Sequence, residues 1–191
     1  MKKNCALILA AGFSKRYGKD KRFSGSPPLI VQTISAIQLV YKDIFLVHRA
    51  DDKAFLNLVK RFPLHCIPAP KEEISLGTSI SNAIVSIEAL KYYDTCSIFL
   101  ADMPYISQKS METLISFSGT HKIIRPQYQE LLGHPVIFGK HFFSDLKALK
   151  GRNGANSVIQ KNLEALHLVQ IQDAGTTIDI DYPDDKKGVD K

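Results

Sequence analysis

No apolar run in the 191-residue sequence approaches the roughly 18 residues that a membrane-crossing helix requires. No membrane association is expected. Met1-Lys2-Lys3-Asn4 resembles the basic start of a signal peptide, but the apolar stretch behind it stops at Gly12, so it reads as a first strand instead. Cysteine is scarce. Cys5, Cys66 and Cys96 sit at wide spacings inside apolar runs, an odd number with no pairing pattern. That usage points to buried, reduced thiols and a cytoplasmic setting. The six histidines show no ligand spacing, which argues against a zinc site. There is no long basic run, and the aromatic residues are not interleaved with basic ones, so nucleic-acid binding is disfavoured. No linker, internal repeat or low-complexity segment divides the chain, and residues 1–191 read as one domain.

What is present is an ordinary globular composition, 45% hydrophobic and 23% charged. The formal charge of +6 serves either solubility or the recruitment of anionic small molecules. The richest stretch is CALILAAGFSKRYGKDKRF, residues 5–23. An apolar run from Ala6 to Leu9 ends in Ala10-Ala11-Gly12. A loop with Ser14, Lys15, Arg16, Gly18, Lys19, Lys21 and Arg22 follows. Small residues let the backbone approach a ligand with its N–H groups exposed, and the cations supply positive charge at the same place. The combination suits a triphosphate.

Strand and helix signals then alternate. Residues 5–10 read as a buried strand. Pro27-Pro28 opens a helix whose apolar face is Ile30, Ile34, Ile37 and Tyr41. A strand is predicted at 44–47, a helix through Phe55, Leu58, Val59 and Phe62 that Pro63 ends, and a third strand at 64–68. Gly77-Thr78-Ser79 reads as the cap region of a helix carrying Ile80, Ala83, Ile84, Ile87 and Leu90. Cys96 to Leu100 is a further buried strand, running into Ala101-Asp102-Met103-Pro104, and Met111, Leu114 and Ile115 mark the next helix. After residue 121 the pattern changes to short strands at 123–124 and 136–138 around a polar turn at 127–133. Helices follow through Phe142–Leu149 and Val158–Ile159, late strands at 166–171 and 177–180, and a polar tail from Tyr182. The alternation predicts an α/β fold with a doubly wound, mostly parallel sheet and a small β insertion in the C-terminal half. Ligands in such sheets bind beyond the C-terminal ends of strands. That rule selects the loops after Leu9 and Leu100 together.

Two common phosphate loops do not fit. A P-loop has four residues between its glycines and then Lys-Ser/Thr, whereas five separate Gly12 from Gly18 and Asp20 follows Lys19. The dinucleotide GxGxxG spacing does not occur either. What does occur is LAAGxSxRxGxxK, filled by Leu9, Ala10, Ala11, Gly12, Ser14, Arg16, Gly18 and Lys21. This resembles the signature of the MobA-like nucleotidyltransferases, and its LAAG form is similar to the molybdenum cofactor cytidylyltransferase branch. Ser75–Ile80 resembles that family's GMGSSL segment. Leu100–Pro104 resembles its GDQP or DMP segment, Gly133–Phe138 its GHPVLF segment, and Ile178–Pro183 its DIDTPED closure. The likeness runs from about residue 5 to residue 185 and implies the Rossmann-like nucleotidyltransferase fold.

The departures fall mostly in the second half. Ala101 stands where the cytidylyl branch has glycine, and the link from Lys21 to Pro28 is short. In Gly151–Asn156 an acid has become Arg152 and an arginine has become Asn156. Tyr182 replaces a threonine.

The resemblance implies a Mg²⁺-dependent transfer of NMP, with CTP as the leading donor, onto a phosphate of a molybdopterin-type cofactor, with release of pyrophosphate. A molybdoenzyme or maturation factor is the implied protein partner. Backbone N–H groups from Ala11 to Ser14 could hold the phosphates, and Leu9, Ala10 and Gly12 shape the same loop. Arg16 offers a bidentate fork and Lys21 a point charge, and with Asp102 they are the candidate catalytic residues. Gly77 and Ser79 open a helix suited to an anion or a base. Asp102, ending a buried strand, is the expected Mg²⁺ ligand, with Asp181 as second candidate. Gly133, His134 and Pro135 are the candidate acceptor segment, where His134 could either bind the acceptor or shape the loop. Two alternatives stay open: a sugar- or alcohol-phosphate acceptor, and a non-catalytic nucleotide- or cofactor-binding protein.

Overall fold

The computed structural model describes residues 3–14, 17–152 and 154–180. The expectations placed on Arg16, Asp181 and the tail from Tyr182 lie outside those residues. Strand β1 (Asn4–Leu9) is followed by α1 (Leu29–Ile37), β2 (Ile44–His48), α2 (Lys53–Val59), β3 (Leu64–Pro68), α3 (Leu76–Ala89), β4 (Thr95–Leu100) and α4 (Gln108–Phe117). Then come β5 (Ile123–Tyr128), β6 (Leu131–Leu132), β7 (Val136–Gly139), α5 (Phe143–Lys147), α6 (Asn156–Lys161) and β8 (Leu166–Gln170). Strands β3, β2, β1 and β4 pair in that order and run parallel. β7 adds antiparallel to β4, β5 antiparallel to β7, and β8 parallel to β5. β8 occupies one edge of β5 along 123–127, so β6 and β7 share the other edge as one interrupted strand.

The sheet is wound on both faces because β1 is apolar at every interior position. Cys5 and Leu7 face one layer, where they pack with Ile80, Ala83, Ile84 and Ile87 of α3, Phe143 and Leu146 of α5 and Ile159 of α6. Ala6 and Ile8 face the other, with Ile30, Ile34 and Ile37 of α1, Phe55 of α2 and Met111 of α4. Each fully buried large side chain such as Phe99 or Leu7 contributes on the order of 2 kcal/mol. Among the described residues, no helix is long and apolar enough to cross a membrane.

Several expectations are corrected in detail. α3 is capped by Ser75 rather than by Gly77-Thr78-Ser79. The Ser75 hydroxyl accepts from the Thr78 amide while the Thr78 hydroxyl accepts from the Ser75 amide, so both orphan donors are satisfied reciprocally. Cys5 and Cys96 are buried, but Cys66 is exposed, because β3 pairs only with β2 and forms the sheet edge. Residues 127–133 are a hairpin, turning at Gln129 in the left-handed region (φ 53°). Residues 177–180 form no strand. The Ile180 amide donates to the Asp102 carbonyl instead (3.1 Å), after a 3-10 turn at Ala174–Thr176.

Candidate active site

Leu9 and Leu100 are register partners at the ends of β1 and β4. The loops that follow them therefore leave the sheet side by side, at its C-terminal edge. Between these loops and the start of α3 lies a cleft of about 510 Å³. That is within the roughly 300–1,000 Å³ usual for small-molecule sites. Ala10 to Ser14, Lys21, Asp102, Ser75, Ser79 and Arg152 line it.

The loop after β1 is fixed at both ends. The Ala10 amide still donates to Val47 of β2 (2.9 Å). Ser14 has a positive φ of 50° and its hydroxyl accepts from the Lys21 amide (3.4 Å), which ties Lys21 back to the turn. The Ala11, Gly12 and Phe13 amides have no acceptor among the described residues.

Opposite the loop, Lys21 Nζ lies 2.5 Å from Asp102 Oδ2 and donates to the Ile180 carbonyl (3.0 Å). The other oxygen, Asp102 Oδ1, is buried without a hydrogen-bond partner among the described residues. A buried, unsatisfied carboxylate oxygen costs free energy unless something else meets it. The two candidate catalytic residues that the structure describes are thus in contact.

The basic segment is not all available charge. Arg22 is 3% exposed, and its Nη2 lies 2.6 Å from both Asp20 Oδ2 and Asp52 Oδ2. Burial opposes a charged Asp20, but hydrogen bonds from Arg22 and the charges of Arg22 and Arg49 outweigh it and hold the carboxyl below its usual range. Burial likewise opposes the Arg22 cation, and Asp20 and Asp52 more than compensate. The other nucleotide candidates divide. Ser79 lines the cleft, whereas the Gly77 amide donates to the Gly151 carbonyl (2.9 Å). A Cβ at Gly77 would stand 2.8 Å from that carbonyl, so the glycine lets the 150–152 loop close on the helix start rather than offering an amide to a ligand.

A second cavity, about 180 Å³, shares Leu9, Leu76 and Leu100 with the first. His134 lines it together with Arg125 and Asn156, while Gly133 and Pro135 do not. The His134 amide donates to the Thr176 carbonyl (2.7 Å), and its imidazole Nδ1 is buried without a hydrogen-bond partner among the described residues. Burial and the neighbouring Arg125 charge hold its imidazole below the usual histidine range, against smaller opposing effects from Ile98 and Asp102. Arg125 donates through Nε to the Gly133 carbonyl (3.2 Å), and burial lowers its own pKa. The 174–176 turn that carries Thr176 is anchored by Asp173. Its carboxylate accepts from the Ser107 amide (2.9 Å), the Ser110 hydroxyl (2.6 Å) and the Gly175 amide (2.9 Å).

Sequence reading missed Arg49, Asp52 and Arg125. Arg49 directly follows β2 on the ligand-binding edge of the sheet, so its place near the site was legible although its contacts were not. Among the described residues, no group of three or more His, Cys, Asp or Glu side chains could hold a metal. Asp102 alone meets a simpler requirement. Mg²⁺ takes one or two carboxylates and completes its shell with phosphates and water.

Residues 6–167 match the family described as the MobA-like NTP transferase domain. Among curated proteins no sequence match was found. Solved structures share the fold at low identity. A homologue of Mycobacterium tuberculosis Rv0371c from Mycobacterium sp. strain JC1 is 21% identical, with a TM-score of 0.83 over 96% of this chain and 93% of that one. The manganese complex of Rv0371c from M. tuberculosis H37Rv is 15% identical, with a TM-score of 0.78 over 97% of each chain. The molybdopterin-guanine dinucleotide biosynthesis protein A of Archaeoglobus fulgidus is 16% identical, with a TM-score of 0.68 over 96% and 95%. With the family matched across most of its length and the fold shared from end to end, the chain belongs to the MobA-like NTP transferases and is a nucleotidyltransferase.

Proposed function

We propose that the protein transfers CMP from CTP to a phosphate on a molybdopterin-type cofactor, in the presence of Mg²⁺ and with release of pyrophosphate. One observation carries the reading: the Asp102 carboxylate, one oxygen on Lys21 and the other buried and unpaired, faces the small-residue loop across the 510 Å³ cleft. When bound, Mg²⁺ neutralises charge on the phosphoryl oxygens and the leaving pyrophosphate. Asp102 would hold it, with Asp181 as the second candidate. Backbone amides at Ala11, Gly12 and Phe13 receive the phosphates. Lys21 adds a point charge, and Arg16 a bidentate fork, where negative charge develops. The likeness to a protein solved as a manganese complex supports the divalent cation, and the likeness to a molybdopterin-guanine dinucleotide biosynthesis protein supports the acceptor class.

The second cavity is the acceptor site in this reading. It adjoins the nucleotide cleft across Leu9 and Leu100, and His134, Arg125 and Asn156 supply its polar groups. A sugar- or alcohol-phosphate acceptor is the second reading. It is favoured by Arg152, a cation on the wall of the first cleft where the family carries an acid. Incubation with each NTP, Mg²⁺ and either acceptor class, followed by pyrophosphate release, separates them. Turnover with CTP and the molybdopterin cofactor is expected. Turnover only with a simple phosphate ester supports the second reading, and no turnover with any NTP contradicts both. A cytoplasmic location and a molybdoenzyme or maturation-factor partner accompany the first reading.

A further inference from the structure

The loop that receives the phosphates is braced from behind by two arginines. Arg22 Nη1 donates to the Ala10 carbonyl (2.9 Å). Arg49 donates through Nε to the Ala11 carbonyl (3.4 Å) and through Nη2 to the Gly12 carbonyl. Its remaining Nη1 binds Asp20 Oδ2 (2.9 Å), the carboxylate that also holds Arg22. Arg22 in turn pairs with Asp52 (2.6 Å) and lies over the Phe55 ring (4.2 Å), and Arg49 lies over Phe13 (4.8 Å). Among the described residues the cis peptides are 26–27 and 134–135 only, so the peptides from Ala10 to Phe13 are trans. In a trans peptide the N–H points opposite to the C=O of the same plane. Fixing the carbonyls of Ala10, Ala11 and Gly12 on the arginines therefore aims the N–H groups of Ala11, Gly12 and Phe13 the other way, and all three residues line the cleft.

Consecutive carbonyls on one side and consecutive amides on the other make an anion-binding concavity. Such a loop has a competing state, in which one peptide turns over and a carbonyl faces the phosphates. We infer that Arg49, steadied by Asp20, is a positioning residue that excludes this state and presets the amide cradle for a triphosphate. Each nitrogen of its guanidinium is engaged on the loop or on Asp20, and Arg49 is not among the residues that line the cleft, so it acts through the backbone. Asp20 and Asp52 balance the charges of Arg22 and Arg49, and the brace adds geometry rather than net charge to the site. A lysine at position 49 keeps a charge beside Asp20 but lacks the fork that reaches two carbonyls.

The inference rests on the nucleotidyltransferase reading, and one experiment separates the two. NMR titrations of the whole chain with inorganic tripolyphosphate and with cytidine are compared for wild type, Arg49→Met and Arg49→Lys. In the wild type, tripolyphosphate is expected to shift the Ala11, Gly12 and Phe13 amides. Both variants are expected to lose at least about tenfold in tripolyphosphate affinity, with that amide response reduced, while cytidine affinity stays within about twofold. Arg49→Lys binding tripolyphosphate as the wild type does contradicts the inference, since charge alone then suffices. A parallel loss for cytidine contradicts it too, because it reports a general collapse of the cleft. Should Arg49→Met unfold, the Arg49→Lys comparison decides the matter alone. A wild type that binds tripolyphosphate with no amide response at 11–13 overturns the inference and leaves the nucleotide reading standing. A wild type that binds neither probe overturns both.

Discussion

The two halves of the site hold their shape in different ways, although each keeps a buried polar atom without a hydrogen-bond partner among the described residues, Asp102 Oδ1 in one and His134 Nδ1 in the other. On the parallel side, around β1, β2 and β4, the more buried charges pair with opposite ones. Lys21 meets Asp102, Arg22 meets Asp20 and Asp52, and Arg49 meets Asp20. On the antiparallel side, around β5 and β7, the cavity is mostly apolar, Arg125 is desolvated, and the His134 Nδ1 is buried without a partner. The difference teaches where each half gets its shape. The parallel side is held by an ion-pair network that braces the loop after β1 through its carbonyls. The antiparallel side is held by close backbone packing and by the Asp173 carboxylate.

The largest expected effect is on the ion-pair side. Arg22→Met leaves Asp52 without its cation in a buried setting, and removing one partner of a buried pair costs about 3–5 kcal/mol. Chemical denaturation should show a loss of that order. A loss under about 1 kcal/mol means that the network is not what holds the loop.

The packed side has its own weak point. A Cβ on Gly133 would stand 2.4 Å from the Thr176 carbonyl, so Gly133→Ala must push the 174–176 turn away and release the His134 amide. A cost of about 1–3 kcal/mol is expected, with triphosphate binding retained. Equal damage to nucleotide binding would break the distinction between the halves.

Arg125→Met is expected to raise the acceptor KM about tenfold and leave the NTP KM unchanged, since the guanidinium lines only the smaller cavity. Steady-state kinetics with each substrate varied in turn distinguishes the two effects.

The smallest effect is the order of events in acid. His134 binds its proton less readily folded than unfolded, so the unfolded chain gains the proton first as the pH drops, and stability falls below about 6.5. Asp20 and Asp173 are also depressed. Their contribution is complete above about 4 and is lost only as the pH falls further, through their folded values. Thermal melts across pH should therefore soften in two stages. The first stage should vanish in His134→Gln, and its persistence there would assign the early loss to another group.

The parallel half was the more legible in the sequence, because its determinants are contiguous. The apolar run of β1, the small residues at 10–12 and the basic loop behind them lie within twenty residues, and Asp102 ends a strand whose pattern is plain. What the sequence hid depends on register. Arg49 reaches the Ala11 and Gly12 carbonyls because Val47 pairs with Leu9, a relation no local pattern carries. Cys66 looks like a core residue until β3 proves to be the edge. Gly77 looks like part of an anion site, but its amide closes against Gly151. Residues 177–180 have the composition of a strand, yet the Ile180 amide bonds to a loop carbonyl beside Asp102. The antiparallel half was least legible because the polar groups of its cavity come from β5, the segment before β7 and α6, which only the folded sheet brings together.

The central claim is that the cleft between the Ala10–Ser14 loop and Asp102 holds a metal-complexed nucleoside triphosphate. Equilibrium binding of CTP with and without Mg²⁺, to the wild type and to Asp102→Asn, tests it most directly. Binding that strengthens with Mg²⁺ in the wild type and loses that metal dependence in Asp102→Asn is the expected result. CTP binding that is the same in both proteins, with or without the metal, would contradict the claim.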